Sequence, residues 1–112
     1  MEKVIKYQEV ILKELKHRQS IKIYNAPNLK RHLVINKNKT EFVLLDVGWF
    51  NKKYVSGLVF HIEIKNEKIW IHEDNTDVDI ASVLVEEGIS KEDIVLGFLP
   101  DYAKELSNYA IA

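Results

Sequence analysis

The stretch HIEIKNEKIWIHEDNTD, residues 61–77, holds the side chains with the most chemical reach in this chain. Two imidazoles, His61 and His72, stand near Glu63, Glu73, Asp74 and Asp77. The alternation of apolar and polar residues reads as two strands joined by the short turn NEK. Pairing Ile64 with Ile69 and Ile62 with Ile71 sets His61 directly opposite His72, with Glu63 beside Trp70. Two imidazoles and a carboxylate on one sheet face have the donor atoms of a zinc-type site, which takes three or four N/O ligands at about 2.0–2.2 Å. They also have those of an acid/base pair, because histidine titrates near neutral pH. No tight spacing such as H-E-x-x-H accompanies them, and a cross-strand histidine pair on a partly exposed sheet is more often packing. The run Asp74, Asn75, Thr76, Asp77 has a local account as well, since each residue type caps or turns the chain at a helix entry. The local account is preferred.

Other constellations are absent from the sequence. There is no GxGxxG or GxxxxGK[ST] motif, and the serines 20, 56, 82, 90 and 107 stand in no nucleophile-elbow context. No catalytic residue, metal ligand or cofactor is assigned. With no cysteine there is no thiolate site and no disulfide framework, so a cytoplasmic location is the simplest expectation. No apolar run approaches the roughly 20 residues that span a bilayer, and no membrane association is expected.

The elements that must position these residues follow from periodicity. Residues 3–18 carry Val4, Tyr7, Ile11 and Leu15 on one stripe of a charged amphipathic helix, unlike a secretory signal, with Glu9–Lys13 and Glu14–Arg18 as i,i+4 pairs. Four strands are expected at about 31–36, 41–50, 53–65 and 68–72, joined by the polar breaks NKNKT, NKK and NEK. A turn at Asn51–Lys52 pairs Trp49 with Tyr54, Val47 with Ser56 and Leu45 with Leu58. The core face is then Val43, Leu45, Val47, Trp49, Leu58, Phe60, Ile62, Ile64, Ile69 and Ile71. The opposite face carries Phe42, Leu44, Phe50, Val55, Val59 and Trp70 beside polar residues. A sheet open to water on that side would be mostly polar, so part of it is expected to be covered by a helix or a second subunit. Thr76 is expected to cap a helix over 77–87 that ends at Gly88, Ser90 to cap a short turn, and Pro100 to open a last helical stretch.

The formal net charge of −1 conceals a lopsided distribution. Between Glu14 and Glu41 there is no acid, while Lys16, Arg18, Lys22, Lys30, Arg31, Lys37 and Lys39 fall there. From Glu63 to Asp101 eleven acids face only Lys65, Lys68 and Lys91. The basic segment 16–39 is a candidate patch for nucleic acid, although a pI near 6.4 makes direct DNA binding the secondary reading.

Taken together, LLDVGW (44–49), GLVFHIEIKNEKIWI (57–71) with its acidic helix entry, EGISKEDIVLGF (87–98) and YAIA (109–112) resemble the XisI-like family, the cyanobacterial fdxN element excision controlling factors. The likeness runs from about residue 41 to the end, and is loose over 20–40. His61 matches the family pattern. His72 stands where glutamine is frequent, Leu99 where a histidine precedes the proline, and Lys104 where arginine is common. A metal site built on His61 and His72 would therefore be peculiar to this chain. Met1 and the YAIA ending suggest a complete, single XisI-like domain over 1–112.

The resemblance implies an accessory role in programmed excision of a DNA element during cell differentiation, with the recombination chemistry supplied elsewhere. It also implies an XisH-like, endonuclease-like protein as a binding companion, with DNA contacted indirectly. The expected fold is α+β: an N-terminal helix, a four-stranded antiparallel meander and C-terminal helices. The leading expectation is a non-enzymatic, self-associating controlling factor that acts by protein contact through Phe50, Val55, Val59, His61, Trp70 and His72. The alternatives are a DNA-binding accessory protein using segment 16–39, and a small metal-dependent enzyme using His61, His72, Glu73 and Asp74.

Overall fold

A computed structural model describes residues 2–21 and 28–112. A helix, α1 (Glu2–Ser20), precedes four strands, β1 (Leu29–Ile35), β2 (Glu41–Phe50), β3 (Lys53–Lys65) and β4 (Lys68–Asp74). Helix α2 (Ile80–Glu86), a 3-10 turn (Lys91–Asp93), strand β5 (Ile94–Leu96) and the one-turn helix α3 (Asp101–Lys104) complete it. The sheet order is β1-β2-β3-β4-β5. The first four strands form the expected antiparallel meander, and β5 adds to β4 in parallel. Both tight hairpins place two residues at positive φ, Asn51–Lys52 and Asn66–Glu67, which matches the right-handed twist of the strands they join. In the β1–β2 turn, Asn36 Oδ1 accepts the backbone N–H groups of Thr40 and Glu41.

One sheet face carries the core. Tyr7, Ile11 and Leu15 of α1 and Ile80, Ala81 and Leu84 of α2 pack on Phe42, Leu44, Phe60, Ile62, Ile64, Ile69 and Ile71. Both predicted registers are present: Trp49↔Tyr54, Val47↔Ser56 and Leu45↔Leu58 between β2 and β3, Ile64↔Ile69 and Ile62↔Ile71 between β3 and β4. They do not share a face. The β2–β3 register jumps from Leu45↔Leu58 to Leu44↔Phe60, so Val59 is an extra residue, a β-bulge. The side-chain period in a strand is two, so one extra residue reverses facing for everything beyond it. Phe42, Leu44 and Val59 therefore lie in the core instead of on the outer face. Conversely Val43, Leu45, Val47 and Leu58 are half-buried on the outer face, and Trp49 is 58% exposed instead of buried.

A second bulge, at His72, shifts β3–β4 pairing from Ile62↔Ile71 to His61↔Glu73. His61 is thus not directly opposite His72, though the rings remain in contact. Strand β5 was not anticipated: three apolar residues in a parallel position leave too short a pattern. The α2 cap is Asp79 and not Thr76, with its carboxylate accepting from the Ser82 N–H at 3.4 Å. Gly88 does close that helix region with a positive φ. Ser90 makes no side-chain cap bond.

Polar contacts tie α1 to the 3-10 turn and to the C-terminal end of α2. The Tyr7 hydroxyl donates to the Asp93 carboxylate, which also meets Lys3 Nζ at 3.1 Å. Burial pushes the Tyr7 phenol well above its usual range, and the Asp93 charge adds to this. Burial alone would raise Asp93, but the Tyr7 hydroxyl and the Lys3 ammonium outweigh it and hold the carboxyl below its ordinary value. Lys13 reaches Glu87 at 3.6 Å, and Arg18 bonds Glu14 at 2.8 Å.

Candidate interaction surface

The outer sheet face, away from α1 and α2, divides into two parts. Over β4 and β5 it is covered by the C-terminal segment of the same chain. Trp70 lies there with Lys65 Nζ at 4.2 Å and Lys104 Nζ at 5.4 Å from its ring, and Lys104 is only 9% exposed. Two ammonium groups over an indole are favourable cation–π contacts. The expected cover over Trp70 is therefore the chain itself, which makes the residue a packing centre and not a free anchor. Ala110 completes the cover by bridging to the outer edge of β5.

The two histidines sit beside this cover. His61 Nε2 donates to Glu41 Oε1 at 3.1 Å, and His72 Nε2 to Glu63 Oε1 at 2.8 Å. The imidazole centroids are 4.8 Å apart. Glu41 and Glu63 are direct register partners, and like charges directly opposite repel. The imidazoles answer that repulsion by giving each carboxylate an N–H. The carboxylates engaged are thus Glu41 and Glu63, and not Glu73 and Asp74 of the metal-enzyme alternative. Asp74 instead accepts from the Thr76 N–H at 3.0 Å, the Thr76 hydroxyl at 2.7 Å and the Ile80 N–H at 3.0 Å, building the entry to α2. Among the described residues no three His, Asp or Glu side chains converge as metal ligands. A groove of about 400 Å³ opens between Ile71, Val78, Leu96, Phe98 and the α2 entry, and neither histidine lines it.

Over β1, β2 and β3 the outer face carries no helix among the described residues. Its hairpin end carries Trp49, with Tyr54, 57% exposed, packed edge to face against it at 5.4 Å between centroids. Phe50, the last β2 residue, is 38% exposed, and Val55 is half-buried. Of the expected anchors, then, Phe50 and Val55 stand near this tip, Val59 is in the core, and His61, Trp70 and His72 form the cluster by the C-terminal cover. Trp49 and Tyr54 were passed over because an exposed tryptophan cannot be told from a core one unless the facing of its strand is known. Their pairing across the turn, Trp49 opposite Tyr54, was the available signal.

The basic candidates are dispersed. Arg31 bonds Asp46 at 2.9 Å and the Arg18 carbonyl at 3.1 Å, and Arg18 is already paired with Glu14. Lys16, Lys30, Lys37 and Lys39 are exposed, and Lys22 lies outside the described residues. Lys30 lies near the start of β1 and Lys37 in the turn beyond its far end, roughly 20 Å away at the usual rise per strand residue. No helix among the described residues is long and apolar enough to cross a membrane.

Comparison with known proteins agrees with the fold. The chain superposes on the crystal structure of a XisI-like protein from Anabaena variabilis ATCC 29413 with a TM-score of 0.87 at 30% identity, covering 96% of this chain and 98% of that one. It also matches the fdxN element excision controlling factor XisI from the same organism, with a TM-score of 0.80 at 30% identity over 98% of this chain and 99% of that one. No curated protein matches. The sequence profile described as XisI protein matches residues 1–111, and with that agreement of sequence and fold the chain belongs to the XisI family.

Proposed function

We propose that this chain is an accessory factor controlling excision of a DNA element, without catalysis of its own, and that it acts by contact with another protein. Its similarity to an excision controlling factor supports the first part. The single observation that carries the second is the aromatic hairpin tip. Trp49 and Tyr54 are each more than half exposed, held edge to face across a two-residue turn. Large aromatics already fixed in position lose little freedom on binding and dominate interface energetics. The histidine cluster favours the same reading, since each Nε2 is taken up by a carboxylate.

The partner is an endonuclease-like protein of the XisH type or the recombinase itself. Purified chain would be titrated against each by isothermal calorimetry. A complex that weakens at least tenfold in Trp49→Ser and Tyr54→Ser supports the reading. Binding to neither, or binding indifferent to both variants, rejects it.

A further inference from the structure

Where β4 ends, the chain turns towards α2, and the segment that follows β5 runs alongside. Between the two lies the groove of about 400 Å³. Ile71 and Ile80, both buried, form its floor. Val78 and Leu96, half-buried, line its sides, and Phe98, 51% exposed, stands at its rim. Hydrogen bonds fix both sides. On one, the Gly97 N–H donates to the Ile71 carbonyl at 2.8 Å, and the Leu99 N–H to the Leu96 carbonyl at 3.1 Å. A Cβ on Gly97 would lie 3.1 Å from His72 Nδ1, so glycine lets this segment run close against β4. On the other, the Asp74 carboxylate holds Thr76 and Ile80 in place. The groove is preformed.

Its charge is one-sided. Asp74, Asp77 and Asp79 line it, and no lysine, arginine or histidine does. Asp74 and Asp79 already accept hydrogen bonds from Thr76, Ile80 and Ser82. Asp77 is exposed and has no hydrogen-bond or ion-pair partner among the described residues. Carboxylates set beside apolar walls focus their field on whatever enters between them.

We propose that this groove docks a short basic and apolar segment of another protein. A large aliphatic or aromatic side chain lies on the floor, and a lysine or arginine close to it in that segment reaches Asp77. The apolar lining selects the anchor, and three carboxylates without a cation select positive charge. A free small molecule fits less well. Pockets for such ligands bury about 70–90% of the ligand's surface, whereas here Phe98, Asp77 and Asp79 are themselves exposed. A groove open on one side grips side chains hung from a continuing chain. It shares no residue with the Trp49–Tyr54 tip, so this contact is additional to the one proposed above and stands without it.

The test is selection of random peptides displayed on phage against the immobilised full chain, followed by fluorescence anisotropy of the recovered peptides in solution. The expected peptides carry a large apolar residue close to a lysine or arginine and bind with a micromolar Kd. Phe98→Ser and Asp77→Lys are each expected to weaken that binding at least tenfold. Both residues are exposed, so the circular dichroism spectrum of each variant stays that of the wild type. Trp49→Ser leaves the binding unchanged. Recovery of no binder, of binders without a basic residue, or of binders indifferent to either groove variant overturns the inference. Binders lost in Trp49→Ser but kept in Phe98→Ser overturn it too, and leave the hairpin-tip reading in place.

Discussion

Replacing Tyr7 by phenylalanine removes one hydroxyl and leaves the ring in place. That ring is 3% exposed, so its apolar burial is retained and the change isolates the bond to Asp93. A hydrogen bond to a charged group contributes about 1.5–3 kcal/mol, and Lys3 at 3.1 Å still partly compensates the carboxylate. The expected loss at pH 7 is therefore about 1.5–2 kcal/mol. For a chain of this size that is a fall in Tm of roughly 5–10 °C.

The pH dependence has a definite sign. Asp93 has its pKa lowered in the folded state, so its contribution is present above the unfolded value, near pH 4, and is lost as pH falls through the folded one. Tyr7 has its pKa raised, so its contribution is present below about pH 10 and is lost as pH rises beyond that toward the folded value. The difference between wild type and Tyr7→Phe in urea unfolding, followed by circular dichroism, should thus be flat between about pH 5 and pH 9. It should shrink by pH 3 and again above pH 10. A difference under 0.5 kcal/mol at pH 7, or one equally large at pH 3, would refute this role for the Tyr7–Asp93 bond.

Other substitutions probe the remaining parts. Asp74→Ala strips three hydrogen bonds from the α2 entry and should cost about 2–3 kcal/mol, read by urea unfolding. Gly48 has φ +149°, and a Cβ there would lie 2.2 Å from the Asn28 carbonyl oxygen, so Gly48→Ala should destabilise by about 3 kcal/mol as β1 is pushed aside. Trp49→Ser should cost no more than about 1 kcal/mol, its edge contact with Tyr54, where a core tryptophan would cost about 3–5. In gel shifts at low salt the chain should give no duplex DNA complex, because two arginines of the basic segment are neutralised within the fold.

Much of the fold was legible because the signals were local. Asparagines at both hairpin turns and polar breaks of two to five residues set strand limits and near-turn registers, and the helix stripe of α1 marked Tyr7, Ile11 and Leu15 for burial. What the pattern could not settle was facing on β2. From Phe42 to Leu45 the strand reads FVLL, apolar on both sides, so the period-two signal has no preference there. Extending the hairpin register from Trp49 inward assumed an unbroken ladder, and a β-bulge is decided by packing on α1 and α2 and not by the bulged residue's own type.

The same bulge explains why the candidate surface was half foreseen. The excess of apolar residues on the outer face was predicted, but with the wrong members: Phe42, Leu44 and Val59 for Val43, Leu45, Val47 and Leu58. Because β2 is apolar on both sides, either choice leaves an apolar outer face, so that conclusion did not depend on the facing. Which residues form the surface did depend on it. An unbroken ladder would put Trp49 in the core and leave the tip without its aromatic pair. The Val59 bulge turns the hairpin end over, so that Phe60 and Ile62 meet the helices while Trp49 and Tyr54 face outward. One inserted residue thus lets a single long hairpin supply the core at one end and an exposed recognition surface at the other.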